Sequence, residues 1–134
     1  MPPIVEKGGI TMTIIEAINR LDKIKPNGYG QEDKIEWLSE LDGMVKQTVT
    51  DTHEGGEDIS FTGYDAATPL DTVLLIPSPY DSAYLDWLSA KIDFADGEYA
   101  RYNNSMTRFN DTFLAFSRFY NRKYMPKGAK FKYF

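Results

Sequence analysis

The sequence predicts a mainly α fold: one domain of four helices, with a small β excursion between helices two and three and an extended C-terminal tail. Three observations carry this reading. Apolar residues recur at three- and four-residue spacing in four separate stretches, as they do on the buried face of an α-helix. A capping box and a Ser-Pro helix start punctuate those stretches. A chain of 134 residues, 42% hydrophobic and 26% charged, is of a size and composition suited to a single core.

Thr13-Ile14-Ile15-Glu16 forms the capping box, in which a Thr oxygen and a Glu carboxylate satisfy the first free amides of a helix. Ile14, Ala17, Ile18, Leu21 and Ile24 then follow at helical spacing. Lys25-Pro26-Asn27-Gly28 stops the run, since the residue before Pro is pushed out of the α region. The second helix is predicted over residues 31–50, with Glu32 and Asp33 at its positive N-terminal end and a buried stripe of Ile35, Leu38, Leu41, Val45 and Val49. Trp37 and Met44 widen the stripe, and Gly43 within it, costing about 1 kcal/mol relative to Ala, points to a close helix contact or a bend, the contact being favoured. Residues 53–69 read as a long connection, with 59–61 and 72–76 as two short strands pairing across it.

Ser78-Pro79-Tyr80-Asp81 predicts the third helix start, with Ser as N-cap and Pro at the first helical position. Its stripe is Tyr84, Leu85, Leu88, Ile92, Ala95, Tyr99 and Tyr102, with Gly97 tolerated inside. A turn at Asn103-Asn104-Ser105 then opens the last helix, whose stripe is Met106, Phe109, Phe113, Phe116 and Tyr120, flanked by Leu114 and Phe119. Met125-Pro126 ends it. Residues 1–126 thus form the helical domain, with 1–12 a candidate flexible leader if Met12 is the natural start. Residues 127–134 are a basic, aromatic tail whose alternation suits an extended strand with one apolar face.

Charge divides the chain. Residues 1–100 hold 7 Lys and Arg against 19 Asp and Glu, whereas 101–134 hold 8 against the single Asp111, and the whole carries a net charge of −5. An acidic body joined to a basic aromatic segment suits docking against copies of itself or an acidic partner, because opposite patches steer and register such contacts. There is no cysteine, which removes disulfides and thiolate metal sites and fits a reducing interior. No run approaches the roughly 18 apolar residues of a membrane span, and the first dozen residues lack the regions of a signal peptide.

Signatures of catalysis are missing. His53 is the sole histidine, and its neighbours Thr52, Glu54, Gly55 and Gly56 predict a solvated loop position rather than a triad. Gly8-Gly9 and Gly55-Gly56 lack the Lys-Ser/Thr of a phosphate loop. Placing Gly97 at the sixth position of a calcium loop puts Ile92 and Phe94 at ligand positions, so Asp93, Asp96 and Glu98 are read as solvated helix acids. Glu54, Glu57 and Asp58 can attract a passing cation, and neither a metal nor a cofactor is assigned. The sequence therefore reads as a non-enzyme.

Two further sets of residues bear on partners. Arg118, Arg122, Lys123, Lys127, Lys130 and Lys132, with Phe131, Tyr133 and Phe134, are the candidate partner-binding residues. Basic and aromatic residues together also suit nucleic acid, as cations meet phosphates and rings stack on bases. Phe109, Phe113 and Phe116 fall on the expected core stripe, however, which leaves only the tail rings free to stack. A helical nucleic-acid-binding accessory protein is accordingly the alternative reading.

Lys34-Ile35-Glu36-Trp37-Leu38-Ser39-Glu40-Leu41-Asp42-Gly43, Leu74-Leu75-Ile76-Pro77-Ser78-Pro79-Tyr80-Asp81, Tyr84-Leu85-Asp86-Trp87-Leu88 and Gly97-Glu98, followed by Tyr102-Asn103-Asn104 and Phe109-Asn110, form one further pattern. It resembles the small, mostly helical head-tail connector, adaptor or head-completion proteins of Firmicutes siphophages and prophages, over residues 13–126. The resemblance implies a structural subunit of a homo-oligomeric ring below the portal. It implies contacts with the portal and neighbouring head or tail proteins, and DNA passing through the channel without sequence-specific binding. Localisation in the virion, and in the bacterial host cytoplasm before assembly, follows from the same resemblance, with no membrane involved. The charge split agrees with it, since opposite patches favour head-to-tail contacts that close into rings when the rotation permits.

Overall fold

The computed structural model describes residues 11–127. Among them are four α-helices: α1 (Ile14–Ile24), α2 (Gln31–Val45), α3 (Ser82–Ala95) and α4 (Tyr99–Lys123). All four bury residues in one apolar cluster, which also takes in Met12, Leu74 and Ile76 from the connecting chain. Fully buried side chains such as Ile14, Leu21, Leu38, Leu41 and Leu88 each contribute roughly 1.5–3 kcal/mol by leaving water.

The capping box of α1 forms as the sequence predicts. Glu16 N–H donates to Thr13 Oγ1 at 3.3 Å, and Thr13 N–H donates to Glu16 Oε1 at 3.0 Å. The next amides are satisfied from elsewhere: Ile14 N–H donates to the Thr72 carbonyl and Ile15 N–H to the Leu70 carbonyl, both at 3.0 Å. This corrects the expected β excursion. Among the described residues 59–61 and 72–76 form no two-stranded ladder, and the chain around Val73 meets the entrance to α1 in a lone antiparallel bridge, Thr13 to Val73. The start of the apolar run at 72–76 is tied to the entrance of α1, the Thr72 carbonyl serving an orphan donor of the helix N-terminus and Leu74 N–H donating to the Met12 carbonyl at 2.9 Å.

The second helix reaches Thr50 but changes character after Val45, continuing as a π-helical turn over Lys46–Thr50. Its predicted stripe of Ile35, Leu38, Leu41, Val45 and Val49 is buried throughout. Gly43 does not mark a helix contact, since a Cβ there would meet only the Phe61 ring at an ordinary 3.8 Å. Gly56 is the glycine with a steric duty: a Cβ would lie 1.6 Å from the Thr50 carbonyl oxygen, so only glycine lets the chain double back beneath the π turn.

The boundary between the last two helices also lies elsewhere. α3 begins at Ser82 rather than after Ser78, and residues 77–81 form turns in which Tyr80 N–H donates to Pro77 and Ala83 N–H to Tyr80. The Tyr80 ring, held 5.3 Å from Phe119 and 6.1 Å from Phe116, anchors that segment against α4. The break to α4 falls at Gly97, not at Asn103-Asn104-Ser105. Gly97 adopts φ 78°, Glu98 N–H donates to the Asp93 carbonyl and Gly97 N–H to the Phe94 carbonyl. This is the Schellman pattern, in which a left-handed glycine closes off the last carbonyls of a helix. The three-residue turn folds α3 and α4 into an antiparallel hairpin, with Trp87 beside Phe109 and Asp86 beside Arg108.

Candidate interaction surface

The cationic end of α4 follows from its sequence. Arg122 and Lys123 occupy the last turn, where the partial negative charge of the helix terminus favours cations. Ser105, Phe109, Phe116 and Tyr120 face the core. Arg118 lies on the opposite side of the wheel, and Arg122 one turn further on. Both are exposed, and among the described residues neither is paired with an acid. Lys123 places its Nζ 5.6 Å from the centre of the Phe119 ring and 5.7 Å from that of Tyr124, two cation-π contacts that leave its charge facing solvent.

Beyond α4 the chain is tied back to the loop after the π turn. Glu54 N–H donates to the Met125 carbonyl and Lys127 N–H to the Thr52 carbonyl, both at 2.9 Å, with a bridge between His53 and Pro126. Lys127 Nζ lies 3.5 Å from Glu57, whose pKa is lowered by a hydrogen bond from its own backbone amide and then by that cation. Lys127 is therefore partly engaged within its own chain. Lys130, Phe131, Lys132, Tyr133 and Phe134 lie outside the described residues.

His53 overturns the solvated-loop expectation. It is buried, with Nδ1 2.6 Å from the Val49 carbonyl, Nε2 2.6 Å from Asn121 Oδ1 and the ring packed edge-on to Tyr120 at 4.8 Å. The π turn swings the loop inward so that this histidine bolts the end of the second helix to the end of α4. Nothing in the local composition of residues 52–56 signals this, because the partner, Asn121, is 68 positions away.

Asp93 is likewise not a solvated acid. It is buried, paired to Lys25 at 2.7 Å and within 3.4 Å of Ser105 Oγ. Asp96 and Glu98 are exposed as expected, and Asp96 accepts from the Tyr29 hydroxyl at 2.6 Å.

A polar cluster that the sequence reading missed lies at the centre of the body. Asp42 is sealed from solvent and accepts from Tyr84 OH at 2.6 Å, Tyr64 OH at 2.5 Å and Leu75 N–H at 3.1 Å. Tyr84 Oη in turn accepts from Ile76 N–H at 2.6 Å. Burial drives the Asp42 pKa up to about 6, against the opposing pull of its three donors. Burial and the neighbouring carboxylate push both tyrosines well above their ordinary value. A carboxylate with raised pKa is a candidate acid or base only where substrate can reach it. The nearest groove, about 180 Å³, is lined by Tyr64, Leu75 and the 60–73 segment but not by Asp42. The cluster is a clamp that holds the 59–76 segment on α2 and α3. Its signal was present: positions 35, 38, 42, 45 and 49 form the inner helical row, and position 42 is an acid.

Among the described residues no group of three or more His, Asp or Glu is arranged to hold a metal ion, and no helix is long and apolar enough to cross a membrane. Phe109 and Phe116 are core and Phe113 packs against it, so these three rings are not free to stack on bases, whereas Tyr99 at the start of α4 is exposed. Comparison of the chain with protein-family models, curated proteins and solved structures gives no match.

Proposed function

We propose that this chain is a structural subunit of a phage or prophage head-tail connector, assembling head to tail into a ring below the portal. The observation that carries the reading is the pair Arg118 and Arg122, exposed at the end of α4 without an acid partner among the described residues, on a chain whose first hundred residues carry a large excess of carboxylates. Planar guanidinium groups bind carboxylates through two parallel hydrogen bonds, so such a surface finds its complement on the acidic body of a neighbour. The resemblance of residues 13–126 to connector proteins supplies the setting. In that setting DNA passes through the ring without sequence-specific binding.

Mass measurement of the chain alone and mixed with the portal of the same phage tests the proposal. The expected result is a defined complex containing several copies of the chain. Sub-micromolar binding to duplex DNA at physiological salt, lost on replacing Lys127, Lys130 and Lys132, with no complex on the portal, overturns it in favour of a nucleic-acid-binding protein. Such binding would weaken with salt at a logarithmic slope of roughly −0.9 per phosphate contacted.

A further inference from the structure

An aromatic groove lies at the elbow between α3 and α4, at the far end of α4 from its cationic terminus. Trp87, Ala90, Lys91, Phe94, Tyr102 and Met106 line about 220 Å³ of it. Phe94 and Tyr99 are 57% and 59% exposed, and Phe94 stands 5.6 Å from Tyr99 and 5.3 Å from Tyr102. Exposed rings gathered in this way mark an interaction site. Acids outnumber cations in the stretch beside the groove, Asp96 and Glu98 against the exposed Arg101. Asp96 and Glu98 lie in the adjoining turn, and Asp33 acts on Tyr29, the residue bonded to Asp96. The groove's own cation, Lys91, is held by Glu40 at 2.9 Å and lies over the Trp87 ring.

The chain carries a matching segment. After Lys127 come Gly128, Ala129, Lys130, Phe131, Lys132, Tyr133 and Phe134. Extended, it presents Phe131 and Tyr133 on one face and Lys130 and Lys132 on the other. Docked with its rings on the apolar floor, such a segment would bring its lysines near Asp96 and Glu98. Phe131 and Tyr133, the two rings on that face, bury roughly 150–250 Å² each. With the groove's share this approaches the ~1,000 Å² of a specific contact.

The chain's own groove is out of reach. Met106 and Tyr124 are 18 positions apart, on the order of 27 Å along the helix axis. Lys127 is pinned beside Thr52. Four residues of chain from Lys127 to Phe131 span at most about 14 Å, and even seven span only about 25 Å. We infer that the α3-α4 groove receives the Lys130-Phe131-Lys132-Tyr133 segment of a second copy of this chain. The groove lies at the start of α4 and the segment follows its C-terminal end in sequence, so the contact is heterologous and propagates head to tail, closing into a ring if the rotation allows. This deepens the connector reading and rests on it for its setting.

The test uses full-length chains and complementation. Phe94→Lys disables the groove while placing a cation where the end of α3 tolerates it. Phe131→Ser with Tyr133→Ser disables the segment. Each variant alone is expected to be monomeric, and a 1:1 mixture is expected to give dimers by native mass spectrometry and nothing larger, because each pair retains one intact groove and one intact segment. If wild type assembles and both variants assemble as well, this inference falls and the connector reading stands. If wild type stays monomeric, a peptide of residues 127–134 is titrated into the Phe131→Ser, Tyr133→Ser chain with tryptophan fluorescence as the readout. Binding that Phe94→Lys weakens at least about tenfold supports the groove, as expected for loss of an anchor ring. Absence of binding, or binding indifferent to Phe94, overturns it.

Discussion

The body built by α1, α2 and α3 and the C-terminal half of α4 treat charge in opposite ways. In the body, ionic groups are taken inside and paired: Lys34, itself buried, reaches Asp22 at 2.7 Å, Lys25 reaches the buried Asp93 at 2.7 Å, and Asp42 is held by three donors. At the end of α4, Arg118, Arg122 and Lys123 stand exposed without an acid partner among the described residues. Buried ionic groups cost several kcal/mol to desolvate and are retained only where their partners are complete, so they specify how the helices meet. Exposed arginines add little to folding. The contrast separates charged residues that hold this chain's shape from charged residues that no acid pairs among the described residues.

The largest effect is expected at the centre of the body. Asp42→Ala strips Tyr64, Tyr84 and Leu75 N–H of their acceptor and should lower unfolding free energy by about 3–5 kcal/mol in a urea titration. Asp42→Asn should cost less, about 1–3 kcal/mol, since an amide still meets the hydroxyls but turns a donor towards one of the remaining donors. An alanine variant within about 1 kcal/mol of wild type would remove the clamp from the account.

The same residue sets a pH dependence of the next size. The pKa of Asp42 in the folded chain, about 6, lies above its ordinary value of 3.8, so the native state takes up the proton first. Stability therefore falls as pH rises from about 4 to about 6 and is level above that, by roughly 3 kcal/mol for a two-unit shift. Burial raises Asp81 and Asp86 in the same direction, so the Asp42 share is read as the difference between wild type and Asp42→Asn across that range. A difference that does not change with pH would contradict the assignment.

A smaller loss is expected on breaking the link between α1 and α3. Asp93→Asn should destabilise by about 1–3 kcal/mol, because Lys25 keeps some access to water and is not left stranded. Smallest of all, Arg118→Gln with Arg122→Gln should change stability by less than about 0.5 kcal/mol while weakening any association. A melting temperature that drops with this pair would move α4's end from the second class of residues to the first.

Much of the helical frame was legible because its signals are local. The capping box at Thr13, the stripe from Ile35 to Val49 and the aromatic row of α4 each lie within a few turns of chain. The break at Gly97 was misplaced because Tyr99 and Tyr102 prolong the helical period of α3, although a glycine four residues past Asp93, the last buried position of α3, is itself a stop signal. The apolar run at 72–76 was recognised but given the wrong partner, since nothing local says that Val73 bridges to Thr13 and the Thr72 carbonyl meets the start of α1. Asp42 was hidden by counting apolar residues only. His53 was misread because burial there depends on Asn121, far along the chain. The cationic end of α4 was plain from charge alone, whereas the groove needs two helices folded together before it exists.

Sedimentation velocity of the wild-type chain across salt and protein concentration tests the central claim most directly. If acidic body meets basic C-terminal segment, the chain forms larger species at low salt that dissociate as screening shortens the reach of exposed charges to a few ångströms. A single monomeric boundary at every salt and every concentration would contradict the account.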